Sequence, residues 1–138
     1  MTLTIYTDGG SLNNPGEAAS AYVIFQESTL LTENAVRIGI ASNNIAEYSA
    51  LIFALEKVIE LIDTHQITQP ESISVYSDSQ LMISQLNGVY KIKHEGMRER
   101  ATRVKNLINQ IGTPVLFTHV LREKNMHADS LVKKALNS

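Results

Sequence analysis

From Asn43 onward the apolar residues of this chain change their spacing, and that change constrains the fold more than any other feature. Ile45, Tyr48, Leu51, Ile52, Leu55, Val58, Ile59 and Ile62 recur at i, i+3, i+4 and i+7, the rhythm of an amphipathic helix of about five turns. Before Asn43 the period is two. LTIYTD (3–8) alternates Leu3, Ile5 and Thr7 against Thr4, Tyr6 and Asp8, and reads as a strand ending at the aspartate. ASAYVIFQES (19–28) and TENAVRIGIA (32–41) read as two more strands, and GGSLNNPG (9–16) as a loop of turn formers. The connections among the three are short, which favours antiparallel pairing.

After the long helix, whose N-cap is expected at Asn43 or Asn44, Pro70 breaks the chain and ISVYSD (73–78) reads as a fourth strand. SQLMISQLNG reads as a short helix ending at Gly88, a natural left-handed cap. Residues 95–111 carry Met97, Ala101, Val104, Leu107, Ile108 and Ile111 on one side of a further helix, VLFTHVL (115–121) is the last strand, and 125–136 a terminal helix. The order is β-β-β-α-β-α-α-β-α, with no linker or repeat, so one domain over 1–138 is expected. Helical crossovers allow the fourth and fifth strands to run parallel to the first. The fold class is therefore α/β. It is a mixed five-stranded sheet, its first three strands antiparallel and its last two parallel to the first, with helices packed on it.

Composition narrows the function. A chain of 138 residues that is 43% hydrophobic and 19% charged is a globular domain with a core. It has no cysteine, which removes disulfides, thiolate metal sites and a cysteine nucleophile, and fits a reducing compartment. The N-terminus has no basic, apolar leader and no segment is apolar enough for a membrane span, so a cytoplasmic location away from membranes is expected. The net charge is −2, yet residues 91–105 hold Lys91, Lys93, Arg98, Arg100, Arg103 and Lys105 against Glu95 and Glu99. That segment is +4 and the remainder −6, a distribution that fits either contact with a polyanion or a solvated helix face.

Sheets of this kind form sites beyond the carboxyl ends of their strands, and Asp8 and Asp78 both end strands. Glu47, in the first turn of the long helix, and Asp129, opening the terminal helix, can join them. Clustered carboxylates need a compensating cation or a shared proton, and an all-oxygen set selects a hard ion such as Mg²⁺ or Mn²⁺ rather than zinc. Taken singly, Glu47 and Asp129 also fit first-turn acids complementing a helix dipole, and Asp8 before Gly9-Gly10 fits a turn.

Four motifs bring these positions together. TDGGSLNNPG, SNNIAEYSAL, YSDSQLMISQLNG and HVLREKNMHADSLVKKAL resemble, in order and over about residues 4–136, the signatures of type 1 ribonuclease H, in its small reverse-transcriptase-like branch. The resemblance implies that Asp8, Glu47, Asp78 and Asp129 are catalytic, metal-binding carboxylates. It implies hydrolysis of the RNA strand of an RNA–DNA hybrid to 5′-phosphate and 3′-hydroxyl ends, through two Mg²⁺ ions about 4 Å apart that Asp8 bridges. It further implies that Asn14, Asn43, Asn44 and Gln80 lie along the RNA strand, where the 2′-hydroxyl is read, and that Ser42 meets a DNA phosphate. The family fold needs no partner chain, so a monomer is expected.

Two departures from the family pattern stand out. The connection LREKN is too short for the flexible histidine loop of many members. Arg122 is the candidate substitute, unless it pairs with Glu123 or a neighbouring helix; His119 and His127 are not expected to act directly. The basic region GVYKIKHEGMRER is short, and Lys91 and Lys93 are the candidates for following the hybrid's DNA backbone. Two other functions compete with the nuclease: a non-catalytic nucleic-acid-binding module on the same fold, and a related nuclease with another substrate.

Overall fold

The computed structural model describes residues 1–138. Five strands and four helices follow in the order β1 (Thr2–Ser11), β2 (Gly16–Gln26), β3 (Thr29–Ala41), α1 (Asn43–Asp63), β4 (Ser72–Ser77), α2 (Gln80–Leu86), α3 (Glu95–Ile111), β5 (Val115–His119) and α4 (Met126–Leu136). They form one sheet in the order β3-β2-β1-β4-β5. β1–β2 and β2–β3 pair antiparallel, β1–β4 and β4–β5 parallel, as the connection lengths require.

Strand alternation assigns the two faces. Leu3 and Ile5 on β1, Tyr22 and Ile24 on β2, and Ile73 and Val75 on β4 are buried with Tyr48, Leu51, Leu55 and Val58 of α1. α3 adds Met97, Ala101, Val104, Leu107 and Ile111 behind α1. The opposite face carries Ala19 and Ala21 of β2, which pack with Val132 of α4 in a smaller cluster. Asp8 pairs with Ala21, and Gly10 with Ala19, so Asp8 belongs to the α4 face. Thr7 and Gly9 belong to the α1 face.

Three local expectations are corrected. β1 runs to Ser11, so Gly9-Gly10 is strand rather than loop, because β2 pairs with β1 as far as Ser11↔Ala18. The N-cap of α1 is Ser42, whose Oγ accepts from the Ile45 N–H at 3.2 Å, because Asn43 is already helical and its side chain is engaged elsewhere. β5 stops at His119 rather than residue 121, after its parallel pairing with β4 ends at Ser77↔His119. Gly88, with φ 78°, takes the left-handed conformation its position called for. No helix is long and apolar enough to cross a membrane.

Candidate metal centre

The parallel pairing of β1 with β4 ends at Thr7↔Ser77. Asp8 and Asp78 follow at the same level, where the strands stop bridging to each other. Glu47 arrives from α1. Its approach depends on Gly9, since a Cβ there would fall on the backbone of Ala46 and Glu47. With no side chain in the way, the first turn of α1 lies directly against the strand. Ser20, the β2 partner of Gly9, fastens the contact by donating its hydroxyl to the Ala46 carbonyl at 2.6 Å.

Carboxylate oxygens of Asp8, Glu47 and Asp78 lie within 4.8 Å of one another. Asp8 is 5% and Glu47 8% exposed, so their charges are poorly solvated. Burial, then the Asp78 and Asp129 charges, push the Asp8 carboxyl up to about 8, against a weaker opposing effect of the Gly9 N–H. Burial and the charges of Asp8 and Asp78 also hold Glu47 well above the usual carboxylate range, with Gly9 and Arg122 opposing. Oε1 of Glu47 is buried without a hydrogen-bond partner, which ordinarily costs about 1–3 kcal/mol. A site that is short of positive charge and has a spare carboxylate oxygen fits a cation. Oxygen donors alone fit a hard divalent ion.

Asp129 joins from α4. It stands within hydrogen-bonding reach of the raised Asp8 carboxyl. It is also flanked by cations: Lys133 Nζ lies 3.0 Å from its Oδ2 and Arg122 Nη2 4.0 Å from its Oδ1. Arg122 therefore takes the neighbouring-helix alternative rather than pairing with Glu123, and it lines the crevice. The crevice, of about 430 Å³, is lined by all four acids, Gly9 to Leu12, Asn43, Arg122 and Lys133.

Of the remaining candidates, only Asn43 and Arg122 line this crevice. Asn43 Oδ1 accepts from the Ser11 N–H at 2.8 Å and the Ser11 hydroxyl at 2.9 Å. Asn14 Oδ1 accepts from the Asn43 N–H at 2.9 Å. Both amide oxygens are thus used within the protein, leaving the NH₂ groups as outward donors. Ser42 has its oxygen committed to the cap. Asn44 and Gln80 are exposed at the starts of α1 and α2, and Lys91 and Lys93 are exposed between α2 and α3. In the basic segment Arg98 donates to the Ile92 carbonyl, Arg100 to that of Gly96, and Arg103 pairs with Glu56. His127 bonds Glu33 at 3.2 Å, and neither it nor His119 reaches the crevice. The sequence reading missed Gly9, Ser11 and Lys133. Gly9 and Ser11 lie inside the first motif, and Lys133 lies four residues after Asp129 on the same helical face.

Carboxylates from two parallel strand ends and two helices meet in one crevice of an α/β sheet, a set of oxygen donors that could hold a hard cation. The family model described as RNase H matches residues 1–137, and the chain belongs to that family. It is 33% identical over 140 residues to the bifunctional protein Rv2228c of Mycobacterium tuberculosis, covering 100% of this chain and 36% of that protein. It is 35% identical over 133 residues to ribonuclease HI of Halobacterium salinarum, covering 96% of this chain and 63% of the relative. The chain thus spans between about a third and two-thirds of these two relatives. The structure of LC11-RNase H1 in complex with RNA/DNA hybrid superposes with a TM-score of 0.88 at 36% identity, covering 98% of this chain and 96% of that one.

Proposed function

We propose that this domain is a divalent-cation-dependent endonuclease that hydrolyses the RNA strand of RNA–DNA hybrids, leaving 5′-phosphate and 3′-hydroxyl ends. The observation that carries the reading is the meeting of Asp8, Glu47 and Asp78 within 4.8 Å in a chain of the RNase H family. The hybrid bound by its relative LC11-RNase H1 supports the choice of substrate.

Asp8, Glu47, Asp78 and Asp129 hold the cation, Asp129 from beside Asp8 at the rim of the crevice. Mg²⁺ is the expected ion, with Mn²⁺ a substitute; when bound it lowers the pKa of the attacking water and neutralises charge on the leaving 3′-oxygen. The remaining groups bind and orient. The NH₂ groups of Asn14 and Asn43 offer donors beside the crevice, and Asn44 and Gln80 extend that polar edge toward the 2′-hydroxyls. Arg122 and Lys133 present cations to the phosphodiester. Ser42 and the exposed Lys91 and Lys93 follow the DNA strand. We place the domain in the cytoplasm as a monomer, a setting with which the lack of cysteine is consistent.

The test is cleavage of an end-labelled hybrid carrying a few embedded ribonucleotides, in Mg²⁺, in Mn²⁺ and in EDTA, beside duplex RNA and single strands. Cleavage confined to the RNA of the hybrid and lost in EDTA is expected. Hybrid binding without cleavage in either metal would overturn the reading in favour of a non-catalytic module. Preferred cleavage of duplex RNA would overturn the choice of substrate.

A further inference from the structure

Asn125 occupies the N-cap position of α4, where a short amide oxygen ordinarily accepts from a free helix N–H. It makes no such bond. Its side chain turns inward and is 1% exposed. Nδ2 donates to the Thr7 backbone oxygen at 2.8 Å, across 118 residues of sequence. Oδ1 is buried with no hydrogen-bond partner. A side chain that forgoes a cap and strands an oxygen is locally unfavourable, so the one strong contact it does make calls for a reason.

The contact leads to the metal centre from both ends. Thr7 is the last β1 residue paired with β4, and Asp8 follows it. Asn125 also accepts, through its backbone oxygen, from the Asp129 N–H at 3.1 Å. The side-chain bond therefore ties the residue before Asp8 to the residue one helical turn before Asp129. Nearby, α4 is otherwise held by an exposed bond from His127 to Glu33 of β3 and, in the interior, only through buried Ala128 and through Val132 against Ala19 and Ala21. Such apolar contact is non-directional and tolerates sliding. A buried amide–carbonyl bond is directional and does not.

We infer that Asn125 is a positioning residue, whose bond to Thr7 sets the height of α4 against β1 and so holds the Asp129 carboxyl at its distance from Asp8. The inference rests on the proposed nuclease reading for its kinetic readout alone.

Two variants test it. Asn125→Leu fills the space with neither the hydrogen bond nor the stranded oxygen, and Asn125→Ala removes both polar atoms and leaves the space unfilled. Thermal melts show which of them folds cooperatively, and that variant is carried forward. Mg²⁺ binding is measured by calorimetry without nucleic acid, and kcat and KM are measured on the hybrid. Loss of a group that orients a ligand predicts Mg²⁺ binding and kcat each reduced about 10-fold or more, with KM for the hybrid held within about twofold. In an Asp129→Asn background the same change is expected to alter Mg²⁺ binding by less than about twofold, since coupled residues are not additive. Unchanged Mg²⁺ binding and kcat beside a lowered melting temperature would overturn the inference, leaving Asn125 a scaffold residue. An undiminished effect in the Asp129→Asn background would overturn it too. If the parent chain cleaves no hybrid, the nuclease reading fails, and the calorimetric comparison still decides the role of Asn125.

Discussion

Tyr6 and Tyr76 stack across the parallel pairing of β1 and β4, with ring centroids 5.2 Å apart and planes 24° from parallel. The same pairing sets Ile5 opposite Val75 and Thr7 opposite Ser77. The segments IYTD and VYSD thus lie in register along their length. Matched β-branched, aromatic and hydroxyl pairs are favourable cross-strand neighbours, and their match brings Asp8 and Asp78 to one level. The similarity of the two segments is a register device that ends in two neighbouring carboxylates.

Asp8 is held in place against its own electrostatics, so its removal is expected to have opposite effects on activity and stability. Asp8→Asn removes a carboxylate from the proposed cation site and is expected to lower Mg²⁺-dependent cleavage by on the order of 10³-fold or more. In EDTA at pH 8 the same variant is expected to be more stable than the parent by about 1–2 kcal/mol, because a buried charge among like charges is gone. Urea unfolding beside the cleavage assay checks both. Full activity in Asp8→Asn would remove the metal centre from the mechanism.

The cation-free protein is expected to lose stability as pH rises from about 4 to about 8. Asp8 is raised from 3.8 to about 8, and Glu47 is displaced in the same direction. Across that window the folded carboxyls keep protons that the unfolded chain has released. The folded state binds more protons, so stability is full below the unfolded value and declines by up to about 1.4 kcal/mol per pH unit per group. Above about 8 the Asp8 contribution is spent. Millimolar Mg²⁺ is expected to reverse the loss, most strongly at the alkaline end. Melting curves from pH 4 to 9 in EDTA and in Mg²⁺ measure this; a flat profile in EDTA would contradict it.

Gly9→Ala is expected to destabilise the fold by about 2–4 kcal/mol, since the added methyl meets backbone that cannot swing away. The displacement falls on the turn bearing Glu47, so any folded fraction is also expected to bind Mg²⁺ more weakly. Gly10→Ala is the control. Its Cβ has only ordinary contact with Val132, and a small change in urea midpoint is expected.

Lys91 and Lys93 are exposed and carry no ion pair, whereas Arg98, Arg100 and Arg103 are engaged with protein groups. Replacing both lysines with alanine is expected to flatten the slope of log K against log salt for hybrid binding by about 2, roughly one for each phosphate no longer neutralised. The cleavage rate at saturating hybrid is expected to be unchanged. An unaltered slope would remove these residues from the nucleic-acid interface.

Much of this architecture is legible in the sequence because it depends on periodicity. The helix over 95–111 has the expected limits, the long helix begins at the change of period, and β1, β4 and β5 run parallel as their connections demand. That Asp8, Glu47, Asp78 and Asp129 meet in one crevice is legible too, through motifs that are local strings. What is not legible is non-local. Asn43 resembles a cap, but its side chain is drawn to Ser11, thirty-two residues away, and Ser42 does the capping. Asn125 resembles a cap as well, and is drawn to Thr7. His127 looks available and is spent on Glu33.

By itself the sequence determined which segments alternate, which segments coil, and which residues carry charge to the strand ends, because those properties depend on near neighbours along the chain. Only the tertiary structure decided that Gly9 lets α1 touch the strand, that Lys133 and Arg122 flank Asp129, and that Asn125 reaches β1. Each of those choices is a competition for a hydrogen bond, a charge or a volume between groups far apart in sequence, and folding settles that competition.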